Sequence, residues 1–224
     1  YVRQHFCAQP SKAMADIAVI DYGMGNLRSV QQSLRKVAPT ASIILTSDPQ
    51  EVIRAGRVVF PGQGAMPDCM REMDERGLRS AVLDAAKNKP FLGICIGLQM
   101  LFEHSTEGNI TGLGILRGQV VRFTSHLLDQ QGDKLKIPHM GWNQVHRVAQ
   151  HPLWQDIAQG ARFYFVHSYY VVPQNTAIVQ ANTDYPTPFA CAVARDNLFA
   201  VQFHPEKSQD AGLTLLKNFV AWKP

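Results

Sequence analysis

No run of apolar residues in this 224-residue chain approaches the roughly 20 needed to cross a bilayer as a helix, which excludes a helical membrane-spanning role. The four cysteines, Cys7, Cys69, Cys95 and Cys191, form no C-x-x-C pair. With 46% hydrophobic residues the core needs no cross-links, so the thiols are read as reduced and the protein as cytoplasmic. Charge of one sign is also scarce. Lys plus Arg minus Asp plus Glu is 22 − 18 = +4, and Arg3 and Lys12 alone supply half of it, so no basic stripe for nucleic acid is left. The eight histidines include no H-E-x-x-H, so no metal is expected, and His139, His146 and His151 read as surface residues. A P-loop is missing, which speaks against direct use of ATP. Repeats, low-complexity tracts and long linkers are absent too, which leaves one domain over residues 14–224. Residues 1–13 are polar, irregular and without the apolar core of a secretory signal. They read as a disordered extension or cloning remnant ahead of a natural start at Met14.

What is present is an alternation of short apolar strands and amphipathic stretches. Strands are expected at 17–22, 42–45, 58–60 and 91–95, with helices at 27–37, 70–76, 78–87 and 96–102. This pattern predicts a parallel α/β sheet. Beyond residue 118 the pattern turns to strands at 119–123, 144–148, 163–166, 170–172, 178–181, 189–194 and 198–203, closed by a helix over 211–222. The expected fold is therefore a single α/β domain, with a central, mostly parallel sheet flanked by helices and extended by antiparallel additions.

Gly93-Ile94-Cys95-Ile96-Gly97 is the most informative stretch. It has the form of a nucleophile elbow, G-x-C-x-G, between an expected strand and an expected helix. Such a turn exposes Cys95 above the sheet at a helix N-terminus, where free amides favour a thiolate and the Ile96 N–H points at a developing oxyanion. The alternative is a structural cysteine between two turn glycines. Phe203-His204-Pro205-Glu206 supplies the second element. In an extended segment residues two apart share a face, so His204 and Glu206 can hydrogen-bond. His204 then takes the thiol proton and Glu206 orients the imidazole. Pro61-Gly62-Gln63-Gly64 after the third strand is either an ordinary turn or the other wall of an oxyanion hole. Gly23-Met24-Gly25-Asn26 has the start of a dinucleotide loop, but Arg28 stands at the third glycine position and the signal fails.

Taken together, these residues resemble the triad-type, class I glutamine amidotransferases, whose fold is flavodoxin-like. Cys95 in GICIGLQ and the HPE of QFHPEKS carry the general likeness. DYGMGNL at 21–27, PGQGAM at 61–66, PHMGWN at 138–143 and His167-Ser168-Tyr169 resemble the branch serving imidazole glycerol phosphate synthase in histidine biosynthesis. The likeness runs from Asp16 to the C-terminus. It implies hydrolysis of glutamine through a glutamyl thioester on Cys95, with no cofactor. It also implies a partner, a cyclase subunit with a (β/α)₈ barrel that turns the ammonia into imidazole glycerol phosphate and an aminoimidazole carboxamide ribotide. Free ammonia is mostly protonated near neutrality, so a closed passage keeps it nucleophilic.

Residue by residue, the resemblance implies oxyanion donors at Ile96 and the Gln63-Gly64 peptide. It implies glutamine contacts at Gly62, Gln99, Glu107, His167, Ser168 and Tyr169, and a partner-facing surface at Trp142, Asn143, Tyr164 and Lys207. Two rivals stand beside this reading. One is an amidotransferase of another pathway (anthranilate, carbamoyl phosphate or pyridoxal phosphate synthesis), against which DYGMGN and PHMGWN argue. The other is a non-catalytic binding protein with Cys95 as a redox sensor or relic, against which the intact HPE argues.

Overall fold

The computed structural model describes residues 14–124, 128 and 131–224, so the expectation for 1–13 lies outside the described residues. The first half alternates as the apolar pattern requires. It runs β1 (Ile17–Ile20), α1 (Leu27–Val37), β2 (Ile43–Thr46), α2 (Pro49–Arg54), β3 (Arg57–Gly62), α3 (Met66–Glu75), α4 (Arg79–Asn88), β4 (Phe91–Cys95) and α5 (Ile96–Met100). The second half holds β5 (Phe102–Ser105), β6 (Ile110–Thr111), β7 (Leu116–Arg122), β8 (His139–Gln144), β9 (His146–Arg147), β10 (Arg162–His167), β11 (Tyr169–Pro173), β12 (Val179–Asp184), β13 (Pro188–Arg195) and β14 (Leu198–Val201). The last helix is α6 (Gln209–Ala221).

The main sheet runs β2-β1-β3-β4-β14-β13-β11-β7-β5-β6, with β12 attached at β13 and β9 on β12. Its first five strands are mutually parallel. Antiparallel pairs β13–β14, β11–β13 and β7–β11 then carry it outward. The β4 strand is flanked by β3 and β14 and is buried at all five positions, FLGIC, as a strand covered on both faces must be. The α1 helix buries one stripe, Leu27, Val30 and Leu34 at helical spacing, whereas α5 is buried at all five positions. A separate two-stranded ribbon, β8–β10, pairs His139 with His167 and Trp142 with Tyr164. Among the described residues no helix is long and apolar enough to cross a membrane.

Three departures from the sequence expectation have physical causes. The α3 helix starts at Met66 instead of residue 70, because its first amide is capped from afar: Glu107 Oε2 accepts the Met66 N–H at 2.8 Å. The β8 strand over 139–144 was not expected, whereas the strand expected at 144–148 is present as β9, His146–Arg147. The alternation of β8 is inverted, with polar His139 inside and apolar Met140 and Trp142 outside, so hydropathy alone points the wrong way. The α2 helix, with Asp48 capping the Gln50 N–H and Pro49 in its first turn, is too short to show a period.

Candidate active site

Cys95 ends β4 and stands as the N-terminal cap of α5, with φ 55° and ψ −109°. A non-glycine residue there stores about 1–3 kcal/mol of backbone strain. Close packing on both sides holds it. A side chain at Gly97 would overlap the Phe60 carbonyl, and one at Gly93 would meet the Ala200 methyl at 2.9 Å, so only glycine fits at either place. The thiol is thus presented at the carboxyl edge of the sheet, where open parallel sheets form their crevices.

His204 reaches the same edge from the neighbouring strand. The β14 strand pairs with β4 in parallel register, Ala200 with Gly93 and Val201 with Ile94, and ends there. The segment after it is pinned to the ribbon: the His204 N–H donates to the Tyr164 carbonyl at 2.9 Å, and the Ser208 hydroxyl donates to the His204 carbonyl at 2.6 Å. Phe203 anchors it against Phe163, with ring centroids 4.1 Å apart. His204 is extended, but Pro205–Lys207 form a 3₁₀ turn instead of a strand end. Even so, Glu206 Oε1 lies 2.8 Å from His204 Nδ1, so the pair meets across a turn and not along a strand. The imidazole Nε2 is buried and outside standard hydrogen-bond geometry. Burial by itself would lower the His204 pKa. The Cys95 sulfur and, after it, Glu206 outweigh burial and raise it to about 10.

Cys95 and His204 share a cavity of about 310 Å³. It is also lined by Gln63, Gly64, Ile96, the buried Gln99, the half-buried Glu107, Pro138, Val166, His167, Ser168 and Tyr169. Gly62 does not line it. Its Cα is in register with Cys95 across β3–β4, and it borders a small space behind His204 and Glu206. The Gln63 carbonyl is turned to the Cys69 thiol, with the sulfur 3.4 Å away. Burial pushes that thiol up to about 11, so it stays protonated and able to donate. The trans peptide therefore directs the Gly64 N–H away from Cys69. Glu107 has one oxygen committed to Met66, and Gln99 Oε1 is buried without a partner among the described residues.

The four surface residues divide. Trp142 is exposed and packs edge-on against Tyr164 at 6.2 Å, with Lys207 Nζ 5.9 Å above the Tyr164 ring. Neither aromatic is in the core. Asn143 turns inward instead, donating to the Asp184 carbonyl at 2.8 Å and lying 3.1 Å from His139 Nε2. His139 itself is 3% exposed, not a surface residue, and burial lowers its pKa to about 4. His151 is likewise lowered to about 4 by burial, whereas His146 is exposed.

Two residues at this site escaped the sequence reading. Gln202 is fully buried, with Nε2 3.7 Å from Cys95 Sγ. Its signal was available, because it stands two residues before His204 on the same strand alternation. Cys69, three residues into a helix, carried no signal of its own.

Residues 18–222 match the family described as "Glutamine amidotransferase class-I". The chain is 65% identical over 212 residues to the imidazole glycerol phosphate synthase subunit HisH of Nitrosospira multiformis, covering 94% of this chain and 100% of that one. It is 62% identical to the HisH of Thiobacillus denitrificans, covering 93% and 92%. Among solved structures it superposes on one described as a glutamine amidotransferase, with a TM-score of 0.69 at 15% identity, covering 92% of this chain and 100% of that one. A glutamine amidotransferase from Thermotoga maritima gives a TM-score of 0.58 at 16% identity, covering 87% and 77%.

Proposed function

Because the chain belongs to the class-I glutamine amidotransferase family, we propose that residues 14–224 form the glutaminase subunit of an imidazole glycerol phosphate synthase. It hydrolyses glutamine to glutamate and ammonia for histidine biosynthesis, as one subunit of a complex with a cyclase. The observation that carries the reading is the meeting of a strained cysteine elbow with a buried His–Glu pair in one cavity.

In this mechanism His204 takes the thiol proton of Cys95, a transfer suited to a His204 pKa raised to about 10. The sulfur attacks the side-chain carboxamide carbon of glutamine, and the oxyanion is met by the Ile96 and Gly64 N–H groups. Collapse of the tetrahedral intermediate breaks the C–N bond as His204 passes its proton to the leaving nitrogen, and ammonia departs. His204, now neutral, takes a proton from water, whose oxygen attacks the thioester. Glutamate leaves and the ion pair is restored. Glu206 holds the ring and stabilises its charged form. Gln99, Glu107 and the His167-Ser168-Tyr169 wall hold the substrate, and Gly62 supports the elbow from behind.

The partner, in this reading, is a (β/α)₈ barrel seated over Trp142, Asn143, Tyr164 and Lys207. It receives ammonia before bulk water can protonate it. The test is the rate of glutamate release with and without the cyclase, its nucleotide ligand bound. A large stimulation is expected, and an unchanged rate would count against the coupling.

A further inference from the structure

One acceptor in the wall of the cavity fixes the direction of a long hydrogen-bond chain. The Tyr169 carbonyl has no proton to give. His167 Nδ1 lies 2.8 Å from it, so that nitrogen carries the hydrogen and His167 Nε2 is left as an acceptor. His139 Nδ1, 2.9 Å from His167 Nε2, must then be the donor, and His139 Nε2 accepts from Asn143 Nδ2 at 3.1 Å. Burial agrees with this assignment by keeping both rings neutral, lowering His139 to about 4 and His167 to about 3.

On its other side the same carbonyl accepts Gln99 Nε2 at 3.0 Å, which settles the orientation of that amide. Its second hydrogen goes to Gln202 Oε1 at 3.1 Å, and Gln202 is left with only its N–H₂ end to present to Cys95 Sγ, 3.7 Å away. Every member from Asn143 to the sulfur is thereby oriented, without a proton too many or too few.

Resting on the function proposed above, we infer that Gln202 is a positioning residue that donates a hydrogen bond to the nucleophilic sulfur of Cys95, and that its amide is held in this sense by the chain Asn143–His139–His167–Tyr169 carbonyl–Gln99. A donor behind the sulfur steers it toward the cavity and favours its anionic form. Gln202 is fully buried and does not line the cavity, so its contribution falls on the reaction of bound substrate and not on binding. The chain also joins the nucleophile to Asn143 on β8, the strand whose outer face carries the exposed Met140 and Trp142.

Two measurements test this. In the unsubstituted chain, ¹⁵N NMR of labelled histidines is expected to find the Nδ1–H tautomer at both His139 and His167. An Nε2–H form at either overturns the chain. In the complex with the cyclase, Gln202→Met keeps the volume but removes the donor, and Gln202→Glu puts an acceptor in its place. For each variant that folds by circular dichroism, kcat for glutamine is expected to fall about tenfold or more with KM within about twofold. Alkylation of Cys95 by iodoacetamide at neutral pH should slow in parallel. A kcat and an alkylation rate both within about twofold of the parent overturn the proposal. If the parent complex releases no glutamate at all, it is the functional reading that fails, while the alkylation rates and tautomers still decide the role of Gln202.

Discussion

His204 and His167 line one cavity and are 4% and 5% exposed, yet their surroundings drive them in opposite directions. Burial lowers both. Beside His204 stand the Cys95 sulfur and the Glu206 carboxylate, whereas His167 has a backbone carbonyl, a second neutral ring, His139, and the like charge of His204, which lowers it further. A unit charge about 4 Å away is worth about 4 kcal/mol at an effective dielectric near 20. That is about three pK units, enough to overturn the cost of desolvation. Burial therefore does not decide which histidine is suited to carry a proton; the charge of its neighbours does. One side of the cavity is built for proton transfer and the other for fixed hydrogen bonding.

Removing the thiolate breaks this contrast most severely. Cys95→Ala is expected to cut glutaminase activity about 10³-fold or more, while the complex still uses added ammonia. In the same variant the His204 pKa should drop, because burial is then opposed by Glu206 alone. Full glutamine turnover in Cys95→Ala would end the assignment. Glu206→Gln comes next, with a loss of about 10²-fold or more. It also shifts the alkaline limb of the activity profile to lower pH, since the raised His204 pKa falls with the loss of its carboxylate. An alkaline limb that stays in place would mean that Glu206 does not govern the ring.

The pH dependence of stability sharpens the comparison. His139 and His167 titrate near 4 and 3 when folded and near 6.5 when unfolded. The folded state binds fewer protons, so their contribution is present above about pH 6.5 and is lost as the pH falls toward 4 and 3. His204 runs the other way: its contribution is full below about pH 6.5 and disappears as the pH rises toward 10. Urea unfolding is thus expected to show these two rings costing about 4 kcal/mol between neutrality and pH 5, and His139→Phe should remove about half of that slope. An unchanged slope in His139→Phe would place the acid sensitivity elsewhere.

The two halves of the chain were not equally legible. In the first, β4 and α1 have the predicted bounds, because a buried parallel strand and an amphipathic helix each satisfy one rule locally. The elbow could be read because its G-x-C-x-G spacing is contiguous in sequence, although the contacts that demand its glycines, Ala200 at Gly93 and Phe60 at Gly97, are remote. In the second half the determinants are remote. β8 hides its polar residue and exposes its aromatic one because the partner of His139 is His167, 28 positions away. Even in the first half the start of α3 depends on a residue of the second part of the chain, Glu107, 41 positions off. His204 and Glu206 could be paired from their spacing, but the 3₁₀ turn that joins them could not, since Ser208 and β10 impose it.

The outer face of the β8–β10 ribbon offers the smallest effect and the clearest separation of roles. Its inner face carries His139 and His167, and its outer face carries Trp142 against Tyr164, with Lys207 over the latter ring. An exposed Trp contributes little to the stability of its own chain, so Trp142→Ala is expected to move the unfolding free energy by no more than about 0.5 kcal/mol. If this face receives the cyclase, the same substitution weakens association by about 1 kcal/mol or more, roughly fivefold in Kd. Titration calorimetry with the cyclase, beside urea unfolding of the isolated chain, separates the two effects. Unchanged affinity with lowered stability would make the ribbon's outer face part of the fold and move the docking surface elsewhere.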